Sequence, residues 1–239
     1  MKKLFILTFL LPLIFLACKK EPNPEPELIR AYCYLYHFIP GLESVVWEVA
    51  GFEVPNAQLY SNAFPGAVIL QEDTEEITFT VKRAVTKEVL ISQIHQLDKD
   101  IYYNVVVGGT AEDPELLFLE IDTKNHPQSG SVKFQVLHAL TGQDSVDVYM
   151  GGITADKKRV SGLDFLNLSD PFELSDNDAR SAIIVTKHTE EYQQDSVLLS
   201  SVYNENIVSG ASHLGVVAPS TFEEESDPTI WIYTLPLEY

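Results

Sequence analysis

Leu35-Tyr36-His37-Phe38-Ile39-Pro40-Gly41-Leu42-Glu43-Ser44-Val45-Val46-Trp47-Glu48-Val49-Ala50-Gly51 returns without a gap, 101 residues later, as Val136-Leu137-His138-Ala139-Leu140-Thr141-Gly142-Gln143-Asp144-Ser145-Val146-Asp147-Val148-Tyr149-Met150-Gly151-Gly152. A histidine, a glycine, an acid, a serine, a valine and the final glycine fall in register. Both stretches end in alternation. Val45, Trp47 and Val49 interleave with Ser44, Val46 and Glu48, as Val146, Val148 and Met150 do with Ser145, Asp147 and Tyr149. Period two puts successive side chains on opposite faces of a strand. The repeat therefore predicts one strand, entered through one kind of loop, in two copies.

The copies extend well beyond that stretch. Asp113-Pro114 followed by Leu116-Leu117-Phe118-Leu119 returns as Asp227-Pro228 followed by Ile230-Trp231-Ile232-Tyr233. A repeat of about 100 residues is a duplicated domain, since solenoid periods run roughly 20–50. Other apolar runs read as strands: 77–81, 101–107 and 116–121, then 181–185, 196–201, 213–217 and 229–235. No window carries an apolar period of 3.6. The expected fold is all-β, with two tandem immunoglobulin-like β-sandwiches spanning residues 28–123 and 131–239. Residues 123–130 have linker composition.

Ahead of the copies lies a different kind of sequence. Lys2 and Lys3 precede an apolar run from Leu4 to Leu16 that ends in Ala17-Cys18. A basic start, a short apolar core and a small residue before the cut predict a secretory signal peptide over residues 1–17. The run is shorter than the roughly 20 residues a spanning helix needs, and Pro12 interrupts it. Cys18 after the small residue predicts lipidation, although Phe15 stands where the usual lipobox has Leu. Lys19, rather than Asp, follows the cysteine, which points to the outer membrane of a Gram-negative envelope. Residues 18–27 alternate proline with polar residues, predicting an extended spacer of about 3.1 Å per residue that cannot join a sheet.

Charge and cysteine count narrow the partners. The chain has 16 basic and 35 acidic side chains, and removal of residues 1–17 leaves 14 against 35, a formal −21. Such a field repels polyphosphates, so nucleic acid is excluded as a partner. With Cys18 assigned to lipid, Cys33 has no intramolecular partner and reads as a small buried hydrophobe.

The second copy resembles a known family. Leu137-His138-Ala139, followed by Val146-Asp147-Val148-Tyr149-Met150-Gly151-Gly152, is similar to the leading motif of domain of unknown function 4397. That motif reads His-Ala-Ser-Pro, a spacer, then Val-Asp-Val-Tyr and a hydrophobic residue before Gly. Leu140-Thr141 replaces Ser-Pro here, and the first copy has Val46-Trp47-Glu48 in place of Asp-Val-Tyr. The resemblance implies an exported bacterial β-sandwich, often in tandem. It makes His138, Asp147, Tyr149 and Gly152 structural motif residues and brings no catalytic residue with it.

Candidate sites are few. His37 and His138 share one repeat position on the apolar face of their strands, which suits buried histidines satisfied by backbone or carboxylate. A Ser-His-Asp arrangement from His138, Asp144 and Ser145 is the alternative, although a triad is defined by geometry and not by such spacing. The histidines at 37, 95, 126, 138, 188 and 213 show no metal-ligand spacing, so no metal and no cofactor is expected. Glu72-Asp73, Asp176-Asn177-Asp178 and Glu223-Glu224-Glu225 with Asp227 are acidic loops, read as solvated turns or as oxygen ligands for Ca²⁺. Tyr32, Tyr34 and Tyr36 alternate along the face opposite Cys33 and Leu35. Exposed there, they would form a binding face for sugar or protein. The leading function is a lipid-anchored, non-enzymatic binding or scaffold module for an envelope protein or surface polymer. A carbohydrate-binding lipoprotein and an envelope hydrolase are its rivals.

Overall fold

The computed structural model describes residues 28–189, 192–201, 204–223 and 225–236. The signal segment, Cys18 and the whole spacer lie outside the described residues. The chain is all-β. Its first part forms β1 (Arg30–His37), β2 (Ser44–Val49), β3 (Phe52–Glu53), β4 (Gln58–Leu59), β5 (Ala63–Ile69), β6 (Thr74–Arg83), β7 (Val89–Asp98), β8 (Tyr102–Gly109) and β9 (Pro114–Ile121). The second part forms β10 (Ser131–His138), β11 (Ser145–Met150), β12 (Lys158–Asp164), β13 (Phe172–Ser175), the one-turn helix α1 (Asp176–Arg180), β14 (Ile183–Lys187), β15 (Val197–Ser201), β16 (Ser212–Pro219) and β17 (Pro228–Thr234).

Each part makes two sheets. The first has the orders β5-β1-β8-β9 and β3-β2-β6-β7, with β4 also on β2, and the second has β13-β10-β16-β17 and β12-β11-β14-β15. The pairs β1/β8 and β10/β16 are parallel, and the remaining pairings are antiparallel. Parallel neighbours need a long crossover. Here the other sheet of the same part supplies it, which makes each unit a sandwich rather than a meander.

Alternation sorts side chains between three apolar clusters. Ala31, Cys33 and Leu35 of β1 join Val45 and Trp47 of β2, Phe79 and Val81 of β6 and Val105 of β8 inside the first sandwich. Val132, Phe134 and Val136 of β10 join Val146, Val148 and Met150 of β11 and Val185 of β14 inside the second. The third cluster takes the opposite faces of the inner sheets. It contains Tyr36, Phe38 and Val106 from the first part and Leu137, Leu214 and Val216 from the second. Sheets buried on both faces have continuous apolar strands, and β16 is buried at all eight positions.

Hydrogen bonds cross this contact. Tyr60 Oη donates to the Pro219 carbonyl at 3.1 Å, which also accepts from Trp231 Nε1 at 3.2 Å, and Tyr233 Oη donates to the Ser61 carbonyl. Gly108 has no room for a side chain, because a Cβ there would lie 2.7 Å from Cδ2 of Leu166 in the other part. Phe38 is fully buried in the shared cluster. Phe38→Ala is expected to cost about 3–5 kcal/mol and to expose protease sites between the parts. Urea unfolding and limited proteolysis measure the two effects.

Candidate functional site

The two repeat histidines are placed identically. His37 Nε2 donates to the Leu42 carbonyl at 2.9 Å, while its Nδ1 accepts from Ile39 N–H at 3.2 Å. His138 Nε2 donates to the Gln143 carbonyl at 3.0 Å, and its Nδ1 accepts from Leu140 N–H at 3.2 Å. Each ring also meets an aromatic edge-on at 5.7 Å, Tyr60 in one copy and Phe165 in the other. The backbone repeats the match. Ser61 N–H donates to the His37 carbonyl and Leu166 N–H to the His138 carbonyl, and Ser61 and Leu166 have φ of 61° and 56°. The histidine ring therefore braces the first loop of each sandwich, and its backbone carbonyl holds the turn that carries Ser61 or Leu166.

Both ring nitrogens of His138 are taken by backbone groups, so it cannot serve as a base for Ser145. The structure does not assemble the Ser-His-Asp arrangement. Burial holds His37 down at about 4, against a smaller upward pull from the Leu42 carbonyl, and lowers His138 in the same way. The unfolded chain therefore takes up the proton first, and stability is lost as pH falls from about 6.5 toward 4. By pH 5 the His37 contribution is a loss of about 2 kcal/mol. His37→Gln is expected to remove that part of the acid sensitivity, read as the change in urea midpoint between pH 7.5 and pH 5.

Asp147 pairs elsewhere. It lies on the outer face of β11, as the alternation requires, yet it is fully buried. Lys158 Nζ reaches one carboxylate oxygen at 2.7 Å, and the other accepts from Gly162 N–H and His188 Nδ1, both at 2.7 Å. Strands β11 and β12 slip register at this point, and Gly162 sits in the irregularity with φ of 60°. A β-bulge leaves a backbone donor without a ladder partner, and Asp147 satisfies it. Burial pushes the carboxyl up, but the bonds from Lys158, His188 and Gly162 outweigh it and hold the group below the usual carboxylate range. Tyr149 is also buried, with the Lys158 ammonium 5.3 Å from its ring centroid and Tyr192 edge-on at 5.9 Å. Gly152 has φ of 141°, which a side chain rarely tolerates. Asp147→Ala is expected to cost about 2–3 kcal/mol, read by urea unfolding at neutral pH. The cost is moderated because Lys158 and His188 both retain access to water.

The open tyrosine face is not present. Tyr36 is buried in the cluster between the sandwiches, with Tyr233 edge-on at 4.8 Å, and Tyr34 packs against the same cluster. Tyr32 stacks on Tyr102 at 4.4 Å. The three rings share one strand face, but the cluster between the sandwiches takes up Tyr36 and part of Tyr34, so no sugar can stack across all three. Among the acidic loops, Asp176 to Asp178 open helix α1, where Ser175 caps the Asp178 N–H and Asp178 binds Lys157 at 2.9 Å. Among the described residues no group of three or more His, Cys, Asp or Glu side chains is placed to hold a metal. Cys33 is buried, and desolvation pushes its thiol up to about 12.

An apolar cavity opens along the side of the first sandwich. It measures about 380 Å³ and lies between the edge strands β5 and β3. Cys33 and Leu35 form its floor, with Val49 and Val54 on one wall and Phe64 and Val68 on the other. Phe52 stands at its mouth 79% exposed, and Ile69 is 62% exposed. The sole charged lining residue is Glu53, whose carboxylate binds Lys87 at 3.0 Å. Sequence reading missed this slot because β3 has only two residues and β5 is interrupted by Pro65 and Gly66, so neither carries a clear alternation. Compared with protein-family models the chain matches none, and no curated protein matches it.

Proposed function

We propose that this chain is a lipid-anchored envelope protein, held through Cys18 at the outer membrane, that works as a non-enzymatic binding or scaffold module. The apolar slot of the first sandwich carries this reading. Contiguous exposed apolar surface beside a cavity marks an interaction site in a soluble domain. The motif histidines and Asp147 have their polar atoms spent on the fold, which supports a structural role for the resemblance to domain of unknown function 4397. The strong acidic excess keeps the body soluble and repels polyanions.

Two measurements test this. Palmitate labelling is expected to mark the wild type and to be lost in Cys18→Ser, with the protein leaving the membrane fraction. Envelope crosslinking of the wild type is expected to give adducts that Phe52→Asp reduces several-fold. Unlabelled protein would remove the anchor, and adducts indifferent to Phe52 would remove the slot as the working surface.

A further inference from the structure

The duplication supplies an internal comparison for the slot. Cys33 on β1 stands opposite Gly66 on β5. In the second copy the same pair is Phe134 on β10 opposite Phe172 on β13. Phe134 is fully buried, and its ring stacks with Phe172 at 6.0 Å. Gly215 beside it makes the room, since a Cβ there would come 2.6 Å from the Phe134 ring. The second sandwich is thus plugged by two rings where the first has a thiol and a hydrogen. Gly66 faces the core side of β5 and is still exposed. The slot therefore leaves apolar side chains open to water, a cost that an apolar occupant would remove.

What fills it must be apolar and needs no hydrogen bonds. The lining offers aliphatic and aromatic carbon, and its one carboxylate is engaged with Lys87 at the rim. An added β-strand is disfavoured. Leu70 N–H donates to the Ile29 carbonyl, so by alternation the outward-facing groups of β5 belong to residues 63, 65, 67 and 69. Residue 65 is proline and has no N–H to offer.

We infer that the slot holds one acyl chain carried by Cys18 of the same molecule. The inference rests on the reading of the chain as lipid-anchored and deepens it: with the acyl chain in the slot, a partner meets the exposed rim at Phe52 rather than the slot floor. Its basis is where the preceding segment enters the fold. β1 begins at Arg30, paired with Ile69 at the slot, and Val68 beside it lines the wall. Residues 18–27 span about 31 Å when extended, which brings Cys18 within reach of the mouth. The tether makes capture intramolecular, so the slot competes with the bilayer for this chain and needs no free lipid monomer. The volume of about 380 Å³ suits one chain and not several. The remaining chains stay in the membrane and keep the first sandwich against its surface.

Cells fed a diazirine-bearing palmitate analogue test this on the full chain. After irradiation, peptides containing Cys33 or residues 64–69 are expected to be crosslinked to the acyl group on Cys18. Gly66→Phe, which restores the ring that the second copy has, is expected to lower these adducts at least about tenfold. A Cβ at Gly66 meets nothing closer than 3.9 Å, and its φ is not positive, so the variant has space to fold. Gly66→Leu is the smaller alternative, and circular dichroism verifies folding of both. Acylated Cys18 with no adducts in the slot overturns the inference and leaves the anchor standing. Slot adducts from phospholipid alone, or adducts unchanged in a folded Gly66→Phe, also overturn it. Cys18 without the analogue removes the anchor itself, and the inference with it.

Discussion

Burial of both faces of the two inner sheets is the constraint on which this molecule depends. Most antiparallel sandwiches leave their outer faces wet. Here β1 and β8 send Cys33, Leu35 and Val105 into one core and Tyr36 and Val106 into another. β10 and β16 do the same with Val136 and Val217 against Leu137 and Val216. Four layers of sheet therefore stack with three apolar fillings. Separating the sandwiches would expose the middle filling, including Phe38 and Tyr36, together with the buried carbonyls of Ser61 and Pro219 that Tyr233 and Tyr60 satisfy.

The histidine loops serve that stack. Each places a residue with positive φ, Ser61 or Leu166, beside the contact between the copies. Leu166 then fills the space that Gly108 leaves open, and Ser61 presents its carbonyl to Tyr233. A buried neutral histidine that donates at Nε2 and accepts at Nδ1 suits this task, because it bridges a carbonyl and an N–H within one loop. The repeat stretch thus reads as a joint rather than a reactive centre. Asp147 does the equivalent for the bulge between β11 and β12.

Divergence between the copies is where a function can reside. The second copy keeps Phe134 and Phe172 and closes its seam, while the first copy has Cys33 and Gly66 and opens a slot of about 380 Å³. One face conserved by packing and one seam altered in a single copy is the pattern expected when a duplicated scaffold is put to use. The proposed acyl occupant would return the lost apolar contacts to the first core.

Strand alternation and the repeat offset were enough to read an all-β chain of sandwich type from residues alone, because period two reports local geometry and needs no partner. The burial of His37, His138 and Cys33 was legible for the same reason, since each lies on an apolar strand face. Alternation also separated Tyr32, Tyr34 and Tyr36 correctly from the core of their own sandwich. It could not report what covers Tyr34 and Tyr36, which is a second sandwich whose contact residues lie about 100 positions away in sequence. Likewise, that Asp147 would find Lys158 and His188, and that the Cys33 and Gly66 positions would leave a slot, follow from sheet register and side-chain volume. Those are properties of strands brought together in space, and only the packed structure decides them.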